Sequence, residues 1–202
     1  MSLCYNSTTI MKIIFLDIDG VLNCQDAYLA GQCQYVEWTW EDGRKDHCQR
    51  FCSWSRSLLN KLIRETGAKI VISSTWRFSG LEFMRKVWKL EEMEGDIIGI
   101  TPSLRADGIR IPRGMEIDYF LENGLGFRHI NWDEQTQREY MEKSGVENYI
   151  IIDDDSDMLY GQRNHFVHVL PSPRNTEGFN EHYYQKAKAM LDKSVIELNY
   201  DL

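Results

Sequence analysis

The chain has 202 residues, 43% of them hydrophobic and 12% aromatic, which fits one ordered core with at most a small lid and excludes a disordered polypeptide. Its formal charge of −8 excludes the broad basic face that grips nucleic acid, though not a basic pocket within one cleft. No apolar run is as long as a membrane span, and residues 1–10 lack the features of a signal peptide, so a cytoplasmic location is expected.

Residues 1–10 read as an extension and residues 11–202 as a single domain. The first predicted strand, Lys12–Leu16, opens the stretch "IIFLDIDGVL" and is apolar enough to be buried on both faces, as in a parallel sheet. It ends on Asp17 and Asp19, two like charges that need something positive between them. The next segment, Asn23–Arg50, is too long for an ordinary connection. Within it, Tyr35–Trp40 alternates ahead of a charged turn at Asp42–Gly43, the pattern of a short hairpin. Placed directly after Asp19, it reads as a lid over the strand ends; the alternative is a surface loop whose tryptophans pack on the body. Tyr35, Trp38 and Trp40 either stack on a substrate ring or pack within the lid.

Helical periodicity follows at Ser53–Glu65, closed by Gly67, and at Leu81–Met93, with a strand at Lys69–Ile72 between them. A strand at Asp96–Ile100 precedes helices at Met115–Asn123, stopped by Gly124, and Asp133–Lys143, stopped by Gly145. Strands at Tyr149–Ile152 and Phe166–Leu170 and a helix at Asn180–Asp192 complete the chain. Strands alternating with helices predict an α/β fold, a Rossmann-like parallel sheet with helices on both faces. The five cysteines, Cys4, Cys24, Cys33, Cys48 and Cys52, read as free thiols. Four of them, with His47, can be drawn as a zinc site, but their spacing matches no common zinc pattern. His129, His165 and His168 have no partner at ligand spacing and read as structural or solvated.

Ligands of an open parallel sheet bind at the carboxyl ends of its strands. "KIVISSTWR" ends in Ser73, Ser74, Thr75 and Arg77; "YIIIDDDSDM" ends in Asp153, Asp154, Asp155 and Asp157; "RIPRGMEI" brings Arg110 and Arg113. Carboxylates gathered this closely suit Mg²⁺, which takes oxygen ligands, while hydroxyls and arginine suit a phosphate. Arg77 reads as a phosphate or substrate contact, the alternatives being a surface residue or an ion-pair partner of Glu82.

"DIDGV", a strand ending in Ser, a basic residue and a strand ending in "DD…D" together resemble the haloacid dehalogenase (HAD) superfamily of phosphotransferases, from Lys12 to about Leu170. "ISSTWR" with "RGMEI" is also similar to the HAD domains of RNA-repair proteins. The resemblance implies that Asp17 is the nucleophile, forming an aspartyl-phosphate, and that Asp19 is the general acid and base. It implies Mg²⁺ held by the Asp17 carboxylate, the Asp19 carbonyl and Asp153 or Asp154, with Ser73 and Ser74 near the phosphoryl group and Gly20 making the turn. An acid at position 19 favours phosphatase or phosphomutase chemistry; a phosphomutase needs a larger cap than this chain offers, so the expectation is a phosphatase acting on a nucleotide, sugar phosphate or polynucleotide end. The alternative is a silent domain binding a phosphorylated ligand or protein. Arg113 stands where the superfamily most often has Lys, and Lys143 is its rival. Asp155 reads as a solvated neighbour.

Overall fold

The computed structural model describes residues 10–106, 108–130 and 132–200. The extension expected at residues 1–10 therefore lies outside the described residues apart from Ile10. From the N-terminus come β1 (Met11–Leu16), α1 (Gln25–Leu29), β2 (Tyr35–Thr39), β3 (Lys45–Gln49), α2 (Ser53–Thr66), β4 (Lys69–Ile72), a 3-10 turn (Thr75–Ser79) and α3 (Leu81–Leu90). Next are β5 (Ile97–Ile100), β6 (Arg105–Ala106), β7 (Ile109–Arg110) and α4 (Arg113–Tyr119), which runs into a π turn at Phe120–Gly124. The chain closes with α5 (Glu134–Ser144), β8 (Val146–Asp153), a 3-10 segment (Tyr160–His165), β9 (Phe166–His168), α6 (Glu181–Leu191) and α7 (Val195–Tyr200).

β5, β4, β1, β8 and β9 form, in that order, a five-stranded sheet in which every pairing is parallel. Side chains alternate across a strand, so β1 feeds two cores. Ile14 and Leu16 pack with Ile70, Ile72, Ile150 and Ile152 under α2, α3 and α6, whose Leu62, Val87 and Leu191 are buried there. Ile13 and Phe15 join Val71, Tyr149 and Ile151 on the other face, against Ile117 of α4 and Leu121. This is the Rossmann-like α/β arrangement that the sequence predicts.

Two helix ends differ from expectation for identifiable reasons. α3 stops at Leu90, not Met93, because Glu92 adopts a positive φ of 52° and Glu91 turns inward. α4 starts at Arg113, not Met115, because Asp157 caps it from 44 residues away, its carboxylate accepting the Arg113 N–H at 2.8 Å. The short α1, α7 and the β6–β7 pair lack a periodic signal of any length.

Between β1 and α2, β2 and β3 pair antiparallel from Tyr35↔Gln49 to Thr39↔Lys45, around the turn containing Gly43. A buried carboxylate ties this hairpin's exit to the body: Glu91 lies 3.4 Å from both Arg50 and Arg56 and accepts the Phe51 N–H at 3.3 Å. A buried charge persists where it is paired and hydrogen-bonded, as here.

Candidate active site

Leu16 pairs with Ile72 on one side and Ile152 on the other, and the ladder runs one residue further. The Ser73 N–H donates to the Leu16 carbonyl at 2.8 Å and the Asp17 N–H to the Ile152 carbonyl at 3.0 Å. Parallel strands in register present equivalent residues side by side. Asp17, Ser73 and Asp153 therefore stand in one row at the carboxyl edge of the sheet, two residues on from Phe15, Val71 and Ile151 and so toward the face that carries α4.

The first residue of α4 supplies the positive charge that this row requires. Arg113 Nη1 lies 2.6 Å from Asp153 Oδ2 and 3.1 Å from Asp17 Oδ1, and all three side chains are buried. Burial alone would lower the guanidinium's pKa, but Asp153 and Asp17 outweigh it and hold the charge firmly in place. Gly114, next along, lets α4 approach closely: a Cβ there would sit 2.5 Å from the Leu159 amide nitrogen.

One guanidinium does not balance the acids around it. Carboxylate oxygens of Asp17, Asp153 and Asp154 all lie within 4.8 Å of one another. Burial, and then the charge of Asp17, pushes Asp153 up to about 8 and Asp154 up to about 6; burial likewise raises Asp17. A group that must bind protons at neutral pH to relieve its own repulsion suits a divalent cation. The oxygens are not equivalent, however. Asp153 already accepts from Arg113 and, at 2.9 Å, from the Asp155 N–H, whereas Asp154 is half-buried with its carboxylate close to that of Asp17. Gly20, at φ +78°, makes room for it: a Cβ there would lie 2.1 Å from Asp154 Oδ2. His168 Nε2 donates to the Asp154 carbonyl at 3.1 Å, holding the backbone of the same loop.

Beside the acids, the Ser73 hydroxyl is fully buried and has no hydrogen-bond partner among the described residues. Such a group costs free energy until a ligand satisfies it. The Ser74 hydroxyl oxygen accepts the Trp76 N–H at 3.4 Å. Asp19 stands apart from the acidic group, exposed, with Oδ2 accepting from the Trp76 indole at 3.0 Å and Oδ1 facing Asn23 at 3.4 Å. It borders a pocket of about 320 Å³ walled by Tyr35, His47 and Gln49 of the hairpin and by Thr75, Trp76 and Phe83 of the body.

A buried carboxylate at the end of the central strand, a second acid two residues on, a buried hydroxyl and a basic residue among further acids now occupy one sheet edge. The family that matches the chain, over residues 13–182, is described as the HAD domain in Swiss Army Knife RNA repair proteins. The chain belongs to this HAD family. Its superfamily is of the phosphatase type. No curated protein matches the chain.

Three readings left open for the HAD site narrow. Arg77 is neither on the surface nor paired with Glu82: it is buried, 2.6 Å from Glu116 and 2.9 Å from the Ser74 carbonyl it donates to. Glu116 also accepts the Leu104 N–H at 3.0 Å, so this pair braces the Ser74 turn and the loop after β5. Lys143 is exposed at the end of α5, where the chain enters β8, and the site lies where the chain leaves β8. Eight residues of strand span roughly 25 Å, so Lys143 cannot stand in for Arg113 as the basic residue of the site. Trp38 packs on the body, against Phe83 at 5.5 Å, and Trp40 is hydrogen-bonded within the hairpin to Asp46 at 3.2 Å. Asp155 is exposed as expected, its N–H engaged by Asp153. Among the described residues, the acidic triad is the group of at least three Asp, Glu, His or Cys ligand atoms close enough to share an ion; the cysteines form none.

Trp76, Glu116 and His47 are the residues that sequence reasoning missed. Glu116 had a signal, since it lies three residues from Arg113 and so on the same helix face. Trp76 and His47 had none without the hairpin's pairing. A second cleft of about 610 Å³, lined by Phe78, Pro102, Tyr119 and Phe120 beyond Arg77, contains none of the acidic row.

Proposed function

We propose that this HAD domain is a Mg²⁺-dependent phosphomonoester hydrolase acting through an aspartyl-phosphate. The single observation carrying this reading is the row Asp17–Ser73–Asp153 with Arg113 behind it and Asp19 set apart from it. In this reading an Asp17 oxygen attacks phosphorus, the ester P–O bond breaks, and the leaving oxygen takes a proton from Asp19. Water then gives its proton to Asp19, attacks the same phosphorus and releases phosphate, returning Asp17. The Ser73 hydroxyl donates to a phosphoryl oxygen. Arg113 acts on the carboxylates, holding Asp17 ionised and oriented. The residues that would hold Mg²⁺ are Asp17, Asp154 and, through its carbonyl, Asp19, with Asp153 supporting them. A cation bound there would neutralise charge between nucleophile and phosphate.

The pocket beside Asp19 supports a leaving group with a ring. Tyr35, His47 and Trp76 offer aromatic faces, and Gln49 and Thr75 offer hydrogen-bonding edges. A nucleotide or the end of a polynucleotide meets both demands, and the family's RNA-repair description agrees with it. A cytoplasmic location fits the free cysteines among the described residues. The test is phosphate release from nucleoside monophosphates and phosphorylated oligonucleotides. We expect turnover with Mg²⁺, loss of turnover with EDTA, and none from Asp17→Asn. Wild-type inactivity on every ester would leave a silent phosphate-binding domain instead.

A further inference from the structure

We propose that Trp76 is the positioning residue for Asp19, and that the turn carrying it fixes the nucleophile and the acid relative to one another. This rests on the phosphatase reading for the role of Asp19. The segment is tied to both aspartates: at its start the Ser73 N–H donates to the carbonyl of Leu16, the residue before Asp17, at 2.8 Å, and the Trp76 indole N–H donates to Asp19 Oδ2 at 3.0 Å. Asp19 is exposed on a loop, where an untethered carboxylate samples several rotamers. The indole occupies one oxygen, and the other faces Asn23 at a longer 3.4 Å. The carboxylate is thus held at the rim of the pocket for the leaving group, outside the acidic triad.

Trp76 is itself held. Its backbone N–H donates to Ser74 Oγ at 3.4 Å, and its ring packs on Phe51 with centroids 5.9 Å apart and planes tilted by 51°. Phe51 is anchored in turn through its N–H on Glu91. Beneath the turn, Arg77 and Glu116 form the buried pair already described. Asp19 is therefore referenced to the sheet through β4 and not only through its own loop. A well-placed general acid contributes at least a hundredfold, and misplacement loses part of that.

Replacing Trp76 by benzothienylalanine keeps the ring and removes only the N–H; Trp76→Phe serves as a second variant. For an alkyl ester such as glycerol phosphate, whose leaving oxygen needs a proton, kcat should fall roughly tenfold or more with KM little changed. For p-nitrophenyl phosphate, whose leaving group needs none, kcat should fall less than about threefold. Equal losses on both esters, or none, overturn the proposal. An arm independent of turnover reads the contact itself: the Trp76 indole ¹H–¹⁵N resonance should move on Asp19→Ala. An unmoved resonance removes the tether, whereas wild-type inactivity on both esters removes the phosphatase reading and the catalytic half of this proposal with it.

Discussion

Arg113 and Asp153 meet at 2.6 Å with both side chains buried, and the same guanidinium nitrogen reaches Asp17 at 3.1 Å. Removing one partner of a buried pair leaves the other charge without compensation, at a cost of roughly 3–5 kcal/mol. Arg113→Met should therefore lose about that much stability in urea denaturation without metal, and Mg²⁺ should restore part of it. Arg113→Lys should fall between, because a point charge does not reproduce the fork. A metal-free Arg113→Met as stable as wild type would show that the carboxylates do not depend on it.

Asp153 and Asp154, pushed up to about 8 and about 6, hold protons in the metal-free fold that the unfolded chain has already released. Their contribution to metal-free stability should accordingly decline as pH rises from about 4 toward 8, since the unfolded state binds fewer protons at these two groups there. Mg²⁺ must displace those protons, so its affinity should rise over pH 6–8. Calorimetry in buffers of differing ionisation enthalpy should show proton release. Asp154→Asn should weaken Mg²⁺ binding more than Asp153→Asn, whose oxygens already serve Arg113 and the Asp155 N–H. The reverse order would exchange their roles.

The sheet and its acidic edge were legible because each rests on local pattern. β1, β4 and β8 are runs too apolar to be anything but buried strands, and chemistry begins at the residue that follows each run or closes it. Arg113 was legible as a charge requirement and Lys143 as its rival; only topology, which puts Lys143 at the opposite end of β8, separates them. Contacts made across long sequence separations were not legible. Asp157 caps α4 over 44 residues, Trp76 reaches Asp19 over 57, and Arg77 finds Glu116 over 39 while Glu82 stands nearer in sequence. The hairpin was read correctly as a hairpin, but alternation does not say which of its faces meets the body.

His165 gives the fold an acid limit distant in role from the active site. It is fully buried, Nδ1 donating to the Tyr149 carbonyl at 2.8 Å, while Nε2 has no hydrogen-bond partner among the described residues and the His129 ring lies 4.9 Å away. Burial, then His129, holds it down at about 3. The unfolded chain takes up this proton near 6.5 and the fold does not, so stability falls with pH between those values. The full window is worth on the order of 4 kcal/mol. The stability of wild type relative to His165→Gln should therefore fall as pH is lowered from 6.5 toward 4. A difference that did not change with pH would assign the acid limit to other groups.

The two faces of the hairpin should separate stability from specificity. Trp38 is 9% exposed and wedged between Phe83 and Trp40, with ring centroids at 5.5 and 6.0 Å, whereas Tyr35 is 69% exposed beside His47 on the pocket side. Trp38→Ala removes buried ring volume and should cost about 3–5 kcal/mol, lowering kcat/KM alike for nucleotides and for glycerol phosphate. Tyr35→Ala and His47→Ala remove exposed groups and should shift stability by no more than about 0.5 kcal/mol. Their effect should instead appear in KM for nucleoside monophosphates, raised roughly tenfold by the loss of one stacking contact, with glycerol phosphate unaffected. Thermal melts and kinetics on the two esters read both quantities from the same preparations. If Tyr35→Ala and His47→Ala left every KM unchanged, the ring-binding pocket would have to be sought elsewhere, and the hairpin would be a buttress for the body alone.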